Sequence, residues 1–421
     1  MNGKRAIAHG LLLSALLSYG SLVASATFVV TSAADPGDGV CDATCTLREA
    51  ITAANAASSV DTINFGIRFP KTGEILIQPA TSLPTITQPV TIDGYSQGGT
   101  SVNTLASGSD AKLRIRVHGG NVVAVSNGLA VCANGVTIRG LSITGFNRAG
   151  ISYGQNVDQT NCAAVPTGGV IAGNFLGLRA DGITPSGNST GAFSRGQVVV
   201  GGNSAVDRNV ISGATGAGIS IAGAGAQGSS IVNNLIGTDK SGALDRGNAS
   251  QGVFLSSAAN SIVVGTASAR NVIAYNGTGL AVGNATGNTL FANHVHDNDQ
   301  LGIDVANDGV TSNDVDDSDT GSNTLQNFPV VTAASRTPTG VSANLTLDVG
   351  NAATQNYRIA LYASPSCDPS GHGEGEQLLT NQLRGLNTGN ESFVMAATTA
   401  TPLAPGTVLT ATATGPGELL L

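Results

Sequence analysis

Two histidines and a run of acids stand out in a chain where only 11% of residues are charged. In Asn293-His294-Val295-His296-Asp297-Asn298-Asp299, His294 and His296 share a face if the segment is a strand, because successive side chains alternate. Asp304 follows shortly after. His294, His296, Asp299 and Asp304 are therefore the candidate catalytic set, as a metal pair or as general acid and base. The competing reading is a solvated polar face.

A second cluster holds Asp308, Asp314, Asp316, Asp317 and Asp319. Carboxylates this dense in a loop suit Ca²⁺, which takes about six to eight oxygen ligands. The spacing is not that of an EF-hand, since Gly and the closing Glu are misplaced. Asp314, Asp316 and Asp319 are the expected Ca²⁺ ligands, against a merely solvated interdomain loop. No other cofactor is implied. Arg208 and Arg270 occupy equivalent repeat positions, where a structural role is expected. Gly223 to Gly228 lacks the strand, helix and downstream acid of a nucleotide loop.

The elements that would position these groups come from a repeat. Asn174-Phe175-Leu176-Gly177 recurs as Asn234-Leu235-Ile236-Gly237, 60 residues later. Arg208-Asn209-Val210-Ile211 recurs as Arg270-Asn271-Val272-Ile273, at 62. Gly279-Leu280-Ala281-Val282 and Gly302-Ile303-Asp304-Val305 lie 23 residues apart, the length of one coil of a β-solenoid. Each longer unit then holds two or three coils. Short β-branched runs such as Val198-Val199-Val200 and Ser230-Ile231-Val232 read as strands bounded by Gly or Asn. Such strands bury an apolar face only by stacking, about 4.8 Å apart. Val210, Ile219, Ile231, Val272, Leu280 and Ile303 are expected in one buried column. Asn209, Asn271 and Asn288 are expected at corners, in left-handed backbone and bonded coil to coil.

The ends read differently. Lys4 and Arg5, the apolar stretch Leu11 to Val23 and Ala24-Ser25-Ala26 form a secretory signal over residues 1–26. Its apolar run falls short of the roughly 20 residues of a spanning helix, and no later stretch could cross a membrane. Phe28 to Thr31 as a strand and Leu47 to Asn55 as a short helix make an N-terminal cap. From residue 326 longer alternating strands begin: Val341 to Val349, Tyr357 to Tyr362, Ser392 to Ala396 and Val408 to Ala413. The expected organisation is an all-β chain: a capped parallel β-helix over 27–325, then a small antiparallel β-sandwich over 326–421.

Export makes disulfides expected. Cys41 pairs with Cys45 across three residues, Cys132 is the plausible partner of Cys162, and Cys367 is left over. Without the signal, 17 basic side chains face 27 acids, a net charge of −10. That excludes an electrostatic footprint for nucleic acid. It also disfavours an acidic polysaccharide unless metal ions bridge the two.

Cys41-Asp42-Ala43-Thr44-Cys45-Thr46-Leu47-Arg48-Glu49-Ala50-Ile51 resembles the N-terminal signature of bacterial CSLREA-domain proteins, with Thr in place of Ser. Ala53-Ala54-Asn55, Val90-Thr91-Ile92-Asp93-Gly94 and Leu325-Gln326-Asn327-Phe328-Pro329-Val330 are also similar to that family. So is Cys367-Asp368-Pro369-Ser370-Gly371-His372-Gly373-Glu374-Gly375, a motif of its C-terminal module. The resemblance implies a right-handed parallel β-helix, often exported and displayed at the surface. It implies no reaction, since the family shares no catalytic set. Similar proteins continue past Thr410-Ala411-Thr412-Ala413-Thr414 through another polar stretch, so the final strand is expected to be missing or replaced.

Three functions compete. A secreted or cell-surface protein that binds a glycan or another surface component, without catalysis, is favoured by the repeat and the export signal. The absence of Trp weakens the sugar version. A polysaccharide lyase or glycoside hydrolase is the alternative, and would need acids, or a base with a bridging cation, converging from successive coils. A structural spacer is the third. Ligand identity and oligomeric state are not written in the sequence.

Overall fold

The computed structural model describes residues 25–68, 73–122, 124, 126–257, 259–350 and 353–416. The signal expected at 1–26 falls almost wholly outside them. Among the described residues, three parallel sheets of nine, eight and seven strands run side by side along one solenoid. Successive coils contribute one strand to each sheet. In the third sheet Leu280 pairs with Ile303 and Val282 with Val305, which is the 23-residue coil. In the second, Phe175 pairs with Val210 and Val210 with Leu235, so the 60-residue repeat spans two coils. The longer coil of each pair carries an excursion, closed by a bridge between Leu178 and Pro185 and again between Thr238 and Asp245. The fold is therefore a parallel β-helix.

Two-residue strands alternate just as longer ones do. In Phe175–Leu176, Val210–Ile211 and Leu235–Ile236, the second residue points inward. Leu176, Ile211, Ile236 and Ile273 join Ile219, Ile231 and Leu280 in the main core. Val210 and Val272 do not, contrary to the single column expected. They form an outward row with Phe175 and Leu235, roofed by Ala111, Leu113 and Tyr95. The segment around residues 97–111 lies on the solenoid and hides apolar surface on its outer face. Ile303 packs half-buried against the end of the main core.

Inside the corners run asparagine ladders. Asn174 Nδ2 donates to Asn209 Oδ1 at 3.2 Å, Asn209 to Asn234 at 2.9 Å, Asn234 to Asn271 at 3.0 Å and Asn271 to Asn293 at 2.8 Å. A carboxamide both donates and accepts, so one residue type satisfies every rung. The left-handed backbone expected at Asn209, Asn271 and Asn288 is not there. It falls on neighbours outside the ladder, such as Asn233 at φ 59° and Asn284 at φ 54°. The ladder residues turn their side chains inward to cap buried backbone instead.

The helix Leu47–Ala56 closes the N-terminal end, with Leu47, Ala50, Ile51 and Ala54 buried. Thr46 and Glu49 form a reciprocal capping box at its start. Arg48 pairs with Asp35 at 2.8 Å. Both expected disulfides are present, Cys41–Cys45 with Cα atoms 4.2 Å apart and Cys132–Cys162 at 5.4 Å. Cys367 is free and exposed.

Among the described residues the C-terminal part holds two antiparallel three-stranded sheets. Gly340–Val349 lies between Val330–Thr337 and Gly389–Thr398, and Gln355–Ser364 between Gln377–Leu386 and Val408–Thr414. Two of these six strands, Val330–Thr337 and Gln377–Leu386, went unread in the sequence. Val408–Thr414, read in the sequence as a strand over Val408 to Ala413, pairs along Gln355–Ser364.

Candidate functional site

The second sheet presents a polar patch on its outer face, near the first coils. In Ile115–His118, Ile115 and Val117 point into the core, so Arg116 and His118 point out. Arg116 is nonetheless buried, because neighbouring coils supply partners on every side. Its Nε donates to Thr144 Oγ1 at 2.9 Å, one Nη to Glu74 at 3.1 Å and the other to Ser186 Oγ at 2.8 Å. Arg179, on the excursion that begins at Leu178, closes on the same Glu74 carboxylate. Burial alone would raise Glu74, but hydrogen bonds from Arg179 and Arg116 outweigh it and hold its carboxyl below the usual range.

Beside this trio opens a cleft of about 570 Å³, lined by Glu74, Lys112, Arg114, Arg179 and Asp181 among others. Asp181 is also held ionised. Burial would raise it, but the Thr184 hydroxyl and the backbone N–H groups of Thr184 and Ile183 outweigh that and hold it below the usual range. His118 is pushed down by burial and then by Arg116. The cleft thus offers cations beside two carboxylates, Glu74 and Asp181, both held below the usual range. No local run of residues marks it in the sequence, since its lining comes from three separate coils.

The expected catalytic set does not assemble. His294 and His296 do share the outer face of the strand His294–His296, half-buried. His294 contacts Arg270 at 3.3 Å and is pushed down to about 4, by burial first and then by Arg270. His296 Nδ1 meets Asp297 at 2.8 Å. Asp304 belongs to the third sheet, and its carboxylate accepts the backbone N–H groups of Asp308 and Gly309. Asp299 is exposed. Among the described residues these four share no hydrogen bond.

In the acidic loop, carboxylate oxygens of Asp314, Asp317 and Asp319 lie within 4.8 Å of one another. Asp317 stands where Asp316 was expected. Asp316 and Asp317 both adopt left-handed backbone, at φ 59° and 46°, and the Asp316 backbone N–H donates to Asp348 while the Asp317 carboxylate joins the trio. Burial, with Asp319, Asp314 and Asp348 nearby, pushes Asp317 up to about 6. The trio fits a divalent cation by donor type, although only three ligands come from it. Arg208 does what its repeat position suggested: its guanidinium donates to the carbonyls of Leu105, Ala106 and Gly108 and pins the outer segment.

No family model matches the chain, and no curated protein matches it. Among solved structures, the enzymatically active domain of bacteriophage CBA120 tailspike protein 2 aligns at 12% identity and TM-score 0.17, over 88% of this chain and 74% of that one. A superposition so loose carries no argument. The fold assignment rests on the strand order and register given above. Among the described residues no helix is long and apolar enough to cross a membrane.

Proposed function

We propose that the chain is an exported or cell-surface β-helix that binds an extracellular polysaccharide without cleaving it, in the cleft beside Glu74, Arg116 and Arg179. The observation that carries this reading is the Glu74 carboxylate gripped by two guanidinium groups. Hydrolysis needs one carboxyl kept protonated near neutral pH and a second placed across the bond. Glu74 and Asp181 are both held ionised. They suit hydrogen bonding to sugar hydroxyls, while Lys112 and Arg179 suit acidic substituents. The Thr46–Glu49 capping box gives a physical role to the Thr-Leu-Arg-Glu-Ala run through which the chain resembles the CSLREA-domain proteins. The Asp314, Asp317 and Asp319 trio supports Ca²⁺ as a structural ion at the start of the C-terminal module.

A glycan array followed by calorimetry tests this, with reducing ends and unsaturated uronates assayed in parallel. Binding that weakens at least tenfold in Arg179→Ala, with no product formed, is the expected result. Product release from a bound glycan would favour the lyase or hydrolase reading. Binding indifferent to Arg179→Ala would remove the cleft from consideration.

A further inference from the structure

The solenoid must end, and its C-terminal end is closed in an unusual place. The strand His294–His296 is the last of the second sheet, so its outer edge would carry unpaired backbone groups. Gly375, from the C-terminal module, covers it. The Val295 N–H donates to the Gly375 carbonyl at 2.9 Å, in an antiparallel bridge. One residue earlier, Glu374 takes the position of a further ladder rung. The corner ladder that runs Asn248, Asn276, Asn298 ends on it: Asn298 Nδ2 donates to Oε1 at 2.8 Å and the Asn298 backbone N–H to Oε2 at 3.3 Å. Glu374 is only 6% exposed.

The covering segment is itself braced. The Thr410 and Ser364 hydroxyls both donate to the Glu374 carbonyl. Gly375 lies against the Tyr362 ring, where an added Cβ would come within 2.8 Å. Phe291 and Ala292 of the solenoid pack with Ala360 and Tyr362 of the module. A second false rung covers the first sheet, where Asn288 donates to Asn323 Oδ1 at 3.1 Å through its backbone N–H.

We propose that Gly373–Gly375 is a stop segment, occupying the edge through which two copies of this chain would otherwise pair end to end about a two-fold axis. The antiparallel sense of the Val295–Gly375 bridge is what points to a two-fold partner. A symmetry-related copy presents its own last strand antiparallel, which is the requirement of an isologous interface. The ladder adds a chemical reason. Asn298 Nδ2 and its backbone N–H, which here donate to Glu374, would lose that acceptor at an open end. Glu374 takes both Asn298 donors and thereby ends the ladder.

The test uses the whole chain in sedimentation velocity. The double variant Glu374→Ala, Gly375→Val drives the segment off by removing its acceptor and crowding Tyr362. It should show a reversible monomer–dimer equilibrium across the micromolar range, while the unaltered chain and Glu374→Gln, which keeps the stronger Asn298 bond, stay monomeric. A folded double variant that remains monomeric, one that forms open-ended polymers, or an unaltered chain that already dimerises would overturn the proposal. Should the double variant fail to fold, hydrogen exchange on the unaltered chain decides. The amides of Val295 and Asn298 should be protected as well as that of Val272, and exchange at frayed-edge rates would also overturn it.

Discussion

Asn298 and Glu374, 76 residues apart in sequence, meet side chain to side chain at 2.8 Å. Through that contact the C-terminal module is joined to the last coil by the same bonding that joins coil to coil. The contact is buried, and the carboxyl is pushed up to about 7 by loss of solvent, with Asp368 adding to the rise and the Asn298 bonds and His296 opposing it.

The pH dependence of stability follows. Glu374 and Asp317 both bind a proton more tightly folded than unfolded, so the stability linked to them is complete below about pH 4. It is lost as pH rises through about 6 for Asp317 and about 7 for Glu374. Calorimetric melts should therefore show the transition of the C-terminal module falling between pH 5 and pH 8. Glu374→Gln should flatten the upper part of that fall. A transition that rises over this range would contradict the burial of both groups.

Millimolar Ca²⁺ should raise the same transition, because a ligand that binds only the folded chain stabilises it by mass action. Asp314→Asn or Asp317→Asn should remove the shift, whereas Asp316→Asn should leave it intact. Mg²⁺ should do less, since it demands a tighter octahedron. Melts unchanged by Ca²⁺ and by EDTA would leave an acidic turn with no ion.

Asn271→Ala should cost about 2–4 kcal/mol of stability, because it orphans several buried groups at once. Asn271 accepts from both nitrogens of Asn234 and donates to Ile231 and Asn293. Denaturant unfolding measures the loss. A cost within about 0.5 kcal/mol, ordinary for a surface site, would mean the ladder bears no weight.

Arg208→Met should loosen the outer segment while leaving the coils intact. Three carbonyls and the Asn233 side chain would lose their donor. Trypsin should then cut after Lys112, with far-UV circular dichroism unchanged. Resistance equal to the unaltered chain would show that the apolar row under the segment holds it alone.

Period and composition made the solenoid legible, because every coil solves the same burial problem with the same residue types. Leu47 and Ile51 showed the cap helix by their spacing. Val210 was placed on the wrong face because in a strand of two residues nothing local says which one points inward. Val330–Thr337 escaped notice because its side chains are mostly exposed and so show no apolar alternation. The cleft was invisible for a different reason. Glu74 and Arg179 are 105 residues apart, and only the stacking of coils brings them together. Asp317 replaced Asp316 in the acidic trio because a left-handed turn, not the spacing of acids, decides which carboxylates converge.

The two-coil repeat also sets a grain for changes in length. Removing a single coil would bring a plain coil where an excursion belongs, and the stacked excursions at Leu178–Pro185 and Thr238–Asp245 would lose step. Adding or removing a whole unit keeps every neighbour equivalent. Each such unit would lengthen the rod by about 9–10 Å, two strand spacings. Relatives or engineered forms of this chain should therefore differ in reach by whole units of that size, like a ruler marked only at alternate divisions.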